Sequence, residues 1–247
     1  NVGTSGAVRV IAPEAVVDSE NRFFSYPVDK KHYLLGGPVN NGGIVFEWAR
    51  KTIFGPDQTA EDFINVAESV PAGSNGLIFH PYLGGERAPI WNAQARGSFI
   101  GLTRNHTKPQ MARSVLEGIV FNLLGAARGL REKISKPDAL RVTGGFVKSD
   151  FVRQLIADIF NLPVIVIKND QSGTLAAMFL AQVGMKKEAD LEKIAKKIDE
   201  SKIYFPNPKN VAVYQDIIPI YREVEHDLDQ SYEKIASFQE KYPKLFE

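Results

Sequence analysis

The sequence predicts an α/β fold, a mixed sheet flanked by helices, and three observations carry that prediction. Residues 140–142, the pair Gly144-Gly145, an amphipathic segment at 149–160 and residues 164–167 read as strand, glycine turn, helix, strand. That is a βαβ unit, whose crossover makes its two strands parallel. Short β-rich pieces at 8–11, 23–28 and 33–35, separated by Gly, Asn, Asp and Pro, read as antiparallel hairpins. Between these regions runs a long helix from Lys108, in which Met111, Val115, Ile119, Leu123 and Ala127 step by four. Ala112, Leu116, Val120 and Leu124 fill the adjoining stripe, so the apolar face is wide enough for a core helix.

The remaining elements follow in order. After the Asn40-Asn41-Gly42-Gly43 turn, Ile44, Phe46, Trp48 and Ala49 lead a helix, and Ala60, Phe63, Ile64 and Ala67 recur at helical spacing within a second one at 59–70. Residues 76–79 and 98–102 read as strands bracketing a polar loop at 81–97, long enough to carry or cover function. An Ala-rich helix is expected at 175–183, a charged helical stretch at 189–198, and a long, partly exposed helix at 211–238, where Tyr214, Ile217, Ile218, Tyr221, Val224 and Leu228 keep a mainly helical period. No repeat, low-complexity segment or linker divides the chain.

Composition excludes several function classes. With 247 residues, 44% of them hydrophobic, the chain can bury a large core. Its 30 basic and 29 acidic residues leave a formal charge of +1, so no field of one sign draws it to nucleic acid or an anionic membrane. Cysteine is absent, which removes disulfides, thiolate metal sites and cysteine nucleophiles and suits the cytoplasm. No apolar run approaches the roughly twenty residues needed to span a bilayer, and no signal-peptide pattern is visible. The sequence begins at Asn1, already in strand and turn, and an upstream portion is expected.

Two glycine turns are candidate anion sites. Gly3-Thr4-Ser5-Gly6 offers successive N–H groups and two hydroxyls able to wrap phosphate oxygens, or it is simply a hairpin turn. Gly144-Gly145 sits where a strand ends and a helix begins, which suits a ligand against the backbone or a turn needing positive φ. No GxxxxGK[ST] loop and no GxSxG elbow is present. His32, His80, His106 and His226 lie far apart without ligand spacing, and no metal site is assigned. Glu86 and Arg87 read as ligand contacts or, more simply, as a local ion pair holding the loop.

In order and wording these motifs resemble the second domain of the FGGY carbohydrate kinases. GSFIGLTRNHTKPQMARSVLE, at 97–117, is similar to the family signature; GERAPIWNAQARG, at 85–97, is similar to a loop shared by the xylulose and gluconate kinases; TGGFVKSDFVRQLIADIF resembles the adenosine motif. The finer wording of GERAPIWNAQARGSFIGL and of the tail YEKIASFQ looks most like the gluconate kinases.

The resemblance implies an actin, Hsp70 and hexokinase-like (ribonuclease H-like) fold. It also implies that residues 1–247 form the C-terminal nucleotide-binding domain of a two-domain sugar kinase whose sugar-binding domain lies upstream. Phosphate-side contacts are implied for Gly3, Thr4 and Ser5, nucleotide contacts for Gly43 and Glu47, and adenosine contacts for Gly145, Phe146 and Ser149, with Gly144 shaping their turn. Glu47 stands where glycerol kinases carry Gln, and Phe146 replaces a small residue. Ala7 matches a sugar-side position at which glycerol kinases carry Phe. Asp170-Gln171 imitates the family's catalytic pair but follows the wrong strand, so the base is expected upstream of Asn1. ATP with Mg²⁺ and a sugar acid are the implied ligands, xylulose or another polyol is the alternative substrate, and a homodimer is compatible with this reading. The reading of another class is an ATP-driven switch module without sugar chemistry.

Overall fold

The computed structural model describes residues 1–134, 137–167, 172–185 and 200–242. The first sheet is antiparallel. Strand β1 (Gly6–Ala12) pairs with β3 (Tyr33–Val39), which also pairs with β2 (Phe24–Pro27), so only β2 and β3 form a hairpin. Helix α1 (Gly43–Ala49) runs into a π-helical turn at Arg50–Phe54. Helix α2 (Ala60–Glu68) is fixed at its start by reciprocal bonds of 3.1 Å, Asp62 N–H to Thr59 Oγ1 and Thr59 N–H to Asp62 Oδ2.

Strands β4 (Ile78–His80) and β5 (Ser98–Ile100) pair antiparallel across the long polar loop. Gly76, expected in that first strand, belongs instead to a 3₁₀ turn, with φ +85°. Helix α3 (Lys108–Lys133) is the axis of the core; it is buried nearly all round and packs against β1, β3, β4, α2 and α4. Val115, Leu116, Ile119 and Val120 are fully enclosed, which is what its two adjoining apolar stripes require.

The βαβ unit is present. Strands β6 (Leu140–Val142) and β7 (Val164–Ile167) are parallel and joined through α4 (Asp150–Phe160). An additional strand, β8 (Glu200–Tyr204), pairs antiparallel with β7 and makes this sheet mixed. One expectation needs correction here: Gly144-Gly145 does not open α4. The 3₁₀ turn Gly145–Lys148 intervenes and Ser149 precedes the first residue of the helix, so the α4 N-terminus is displaced from the glycines.

Helix α5 (Ser172–Gly184) follows, and α6 (Pro208–Lys241) closes the described structure. The charged stretch at 189–198 and Asp170-Gln171 lie outside the described residues. Among the described residues no helix is long and apolar enough to cross a membrane.

A second correction concerns Glu86 and Arg87, which do not pair with each other. The Glu86 carboxylate accepts from the Arg87 amide at 2.8 Å, while the Arg87 guanidinium donates to Asn40 Oδ1 at 2.7 Å and to the Val39 carbonyl at 3.0 Å. Both side chains are occupied by the turn after β3.

The signature segment at 97–117 is also explained by the fold. Its closing Glu117 is 1% exposed and accepts from Arg113 Nε (2.8 Å), Tyr214 Oη (2.8 Å), the Gly73 amide (2.9 Å) and Ser74 Oγ (2.7 Å). It ties α3 to the segment after α2 and to α6. Burial, reinforced by this carboxylate, pushes the Tyr214 phenol well above its ordinary range.

Candidate functional site

Three turns converge on Gly3. Val2 and Gly6 form an antiparallel bridge and the Gly3 amide donates to the Ser5 carbonyl at 2.9 Å, so GTSG is a tight turn with Thr4 and Ser5 exposed at its tip. The turn before α1 docks on it through main chain alone: Gly43 N–H donates to Gly3 O at 2.7 Å and Ile44 N–H to Thr4 O at 3.1 Å. A Cβ on Gly43 would stand 2.7 Å from Gly3 O, so this approach needs glycine.

Val2 links the third turn, donating to Thr143 O at 2.9 Å and accepting from Phe146 N–H at 3.3 Å. Gly144, at φ +110°, lies so close that a Cβ would stand 2.3 Å from Val2 O.

Between the turns lies a crevice of about 550 Å³. Gly3, Thr4, Gly43, Gly145 and Ser149 give it a polar, largely main-chain edge, and Ile44, Ala60, Ile64 and Val152 give it apolar walls. Phe146 lines it while buried, edge-on to Phe46 with ring centroids 6.1 Å apart. Glu47 also lines it, half-exposed and paired with Arg50 at 2.9 Å, and among the described residues Lys148 is the one lysine or arginine in the lining. The start of α4 is fixed beside Ser149 by Asp150, which accepts from Lys202 Nζ and Tyr204 Oη at 2.6 Å each and pairs with Arg153 at 3.0 Å. The bond from Lys202, then that from Tyr204, holds the Asp150 carboxyl down at about 2.

Seven of the expected contact residues thus line one crevice: Gly3, Thr4, Gly43, Glu47, Gly145, Phe146 and Ser149. Ser5 and Gly144 do not, since Ser5 packs its backbone against Gly42 and Gly144 packs against Val2. Ala7 is buried and lines a different cavity, of about 560 Å³, between β1 and β6. That cavity is chiefly aliphatic, and neither Thr4 nor Gly145 lines it, so the crevice at Gly3 is the better candidate.

Sequence reasoning missed Lys148 and the walls. Lys148 lies inside the quoted adenosine motif, whereas Ala60 and Ile64 share a helical apolar stripe that reads as ordinary core. An apolar cleft edged by exposed backbone turns, two hydroxyls and a cation suits a flat ring carrying an anionic tail. Among the described residues no three His, Cys, Asp or Glu side chains gather as metal ligands.

Comparison with known proteins gives a consistent result. A family model, the FGGY family of carbohydrate kinases, C-terminal domain, matches residues 1–185. A gluconokinase of Bacillus licheniformis is 37% identical over 248 residues, covering 96% of this chain and 48% of that protein. Two solved structures from Lactobacillus acidophilus, described as gluconate kinase and as ligand-bound xylulose kinase, are each 58% identical with a TM-score of 0.91. Each match covers 95% of this chain and 48% of that one. The chain spans about half the length of the curated relatives it matches.

Proposed function

The chain belongs to the FGGY family of carbohydrate kinases, and from that premise we propose that it is the nucleotide-binding half of an ATP-dependent kinase that phosphorylates gluconate. The observation that carries the reading is the convergence of the GTSG, Gly42-Gly43 and Gly144-Gly145 turns on one crevice. The apolar walls would take the adenine ring by dispersion and exclusion of water. Thr4, at the exposed tip of its turn, would donate its hydroxyl to a phosphate oxygen, and Lys148 would offset phosphate charge. Phe146 limits the depth of the ring site, and Ser149 is within the same lining for the ribose side.

Magnesium fits this arrangement without a carboxylate cage, because Mg²⁺ ordinarily keeps several waters and is held through substrate phosphates. When bound it supplies charge neutralisation at the terminal phosphates. The crevice contributes positioning and fixed dipoles, and among the described residues the only carboxylate lining it, Glu47, is engaged by Arg50. The proton acceptor for the sugar hydroxyl, the sugar-binding set and the closing half therefore come from outside this crevice. The domain assignment and each contact residue rest on this reading.

Gluconate is favoured by the wording of the 85–102 segment and by the relatives named gluconokinase and gluconate kinase. Xylulose is the second reading, favoured by the equally similar structure described as a xylulose kinase. The test uses the chain alone and fused to the upstream half of the 58%-identical Lactobacillus kinase. ATP should titrate into both, while gluconate-dependent ADP release appears only in the fusion, since lost base and positioning together cost at least ~10⁴ in rate. Transfer by the chain alone, or failure of both to bind ATP, rejects the reading; faster turnover with xylulose selects the second substrate.

A further inference from the structure

Glu86 is 2% exposed in the loop between β4 and β5, and no cation pairs with it among the described residues. A buried carboxylate in that state is unfavourable unless hydrogen bonds replace the lost water. Glu86 has five donors. They are the amides of Asn40, Asn41 (3.4 Å) and Arg87 (2.8 Å), and the side-chain Nδ2 groups of Asn41 (2.9 Å) and Asn122 (2.6 Å). Asn122 belongs to the enclosed face of α3, so the carboxylate is itself held by the most buried element of the core.

Three of the five donors belong to the two residues that lead directly into Gly42-Gly43, and Arg87 grips the same turn from beside it through Asn40 Oδ1 and Val39 O. The other side of Gly42-Gly43 is bolted to the GTSG turn by Gly43 N–H and Ile44 N–H. The crevice edge is therefore clamped between two sets of bonds, and only one of them includes an ionised group. We propose that Glu86 is a positioning residue for the nucleotide crevice, acting through Asn40 and Asn41 to set where Gly43 and Ile44 stand. The inference rests on the nucleotide reading of the crevice.

Glu86→Gln replaces one acceptor oxygen with a donor that faces other donors, and Glu86→Asp keeps the charge but draws the carboxylate back by one methylene. Both variants of the full chain are measured by amide hydrogen exchange and by ATP titration. Exchange should quicken at residues 40–44 while α3 keeps its protection, and ATP affinity should fall about tenfold, the effect of one lost charge-assisted hydrogen bond. Unchanged exchange at 40–44, loosening spread evenly over the chain, or loosening there with unchanged affinity overturns the proposal. If Glu86→Gln does not fold, the milder Glu86→Asp decides by the same criteria. Absence of ATP binding by the unsubstituted chain instead overturns the nucleotide reading, a result recognisable before any variant is made.

Discussion

At Gly145 a Cβ would have no atom within 4 Å, whereas at Gly144 it would meet the Val2 backbone at 2.3 Å from a position of φ +110°. Two adjacent glycines therefore serve different ends, one leaving space and one allowing contact. Gly145→Val should fold normally and bind ATP at least about tenfold more weakly, because its methyls occupy the crevice. Gly144→Val should instead lose about 3 kcal/mol or more through steric conflict and a disfavoured backbone. Calorimetric titration beside urea unfolding separates the two; equal affinity in a folded Gly145→Val chain removes that residue from the site.

The glycine turns were legible in the sequence because they are local backbone patterns. Ile44, Ala60, Ile64 and Val152 were not, because nothing along the chain distinguishes an apolar wall left open from one that is covered. Only packing does that.

At the scale of elements, the family signature has a structural explanation. Glu117 collects Arg113, Tyr214, Ser74 and the Gly73 amide in the interior, joining α3 to α6 and to the segment before β4. Glu117→Gln should destabilise the chain by about 3 kcal/mol, since it leaves the buried Arg113 charge uncompensated. Nucleotide affinity of the molecules that remain folded should be unchanged, as Glu117 is not in the crevice lining. A urea midpoint equal to that of the unsubstituted chain would show that the network holds nothing together. The α3 stripes and the βαβ unit could be read directly, since period and length both agreed. Strand β8 could not, because five residues at a sheet edge owe their conformation to β7 already standing beside them. The glycine pair misled about the start of α4 for a similar reason: a strand-to-helix junction looks the same in sequence whether or not a 3₁₀ turn intervenes.

For the molecule as a whole, part of the acid sensitivity follows from the ion cluster around Arg22, which pairs with Asp18, Glu20 and Glu132. Asp18 accepts from Arg22 Nε at 2.9 Å and Nη2 at 2.8 Å, while Arg22 Nη1 reaches Glu132 on α3 at 2.6 Å, tying the segment after β1 to the central helix. The Arg22 side chain holds the Asp18 carboxyl at about 2, below its ordinary 3.8. A depressed carboxyl contributes its stability above the unfolded pKa and loses it as pH falls through the folded one. Urea stability should thus be level above about pH 5 and decline toward pH 2, and Asp18→Asn should both lower the plateau by about 2 kcal/mol and flatten the decline. An unaltered slope in Asp18→Asn would assign acid sensitivity to other carboxylates.

The interlock of the GTSG turn with Gly42-Gly43 and Gly144 through main-chain atoms bears on how such a protein can diversify. On the proposed nucleotide reading, the phosphate side is built from peptide groups whose close approach depends on the glycines. On the same reading, the walls for the ring are four side chains, Ile44, Ala60, Ile64 and Val152, on three separate helices. If the crevice holds a nucleotide as proposed, selection on the base has a small, separable target, and a library confined to those four codons should alter base preference without disturbing the phosphate edge.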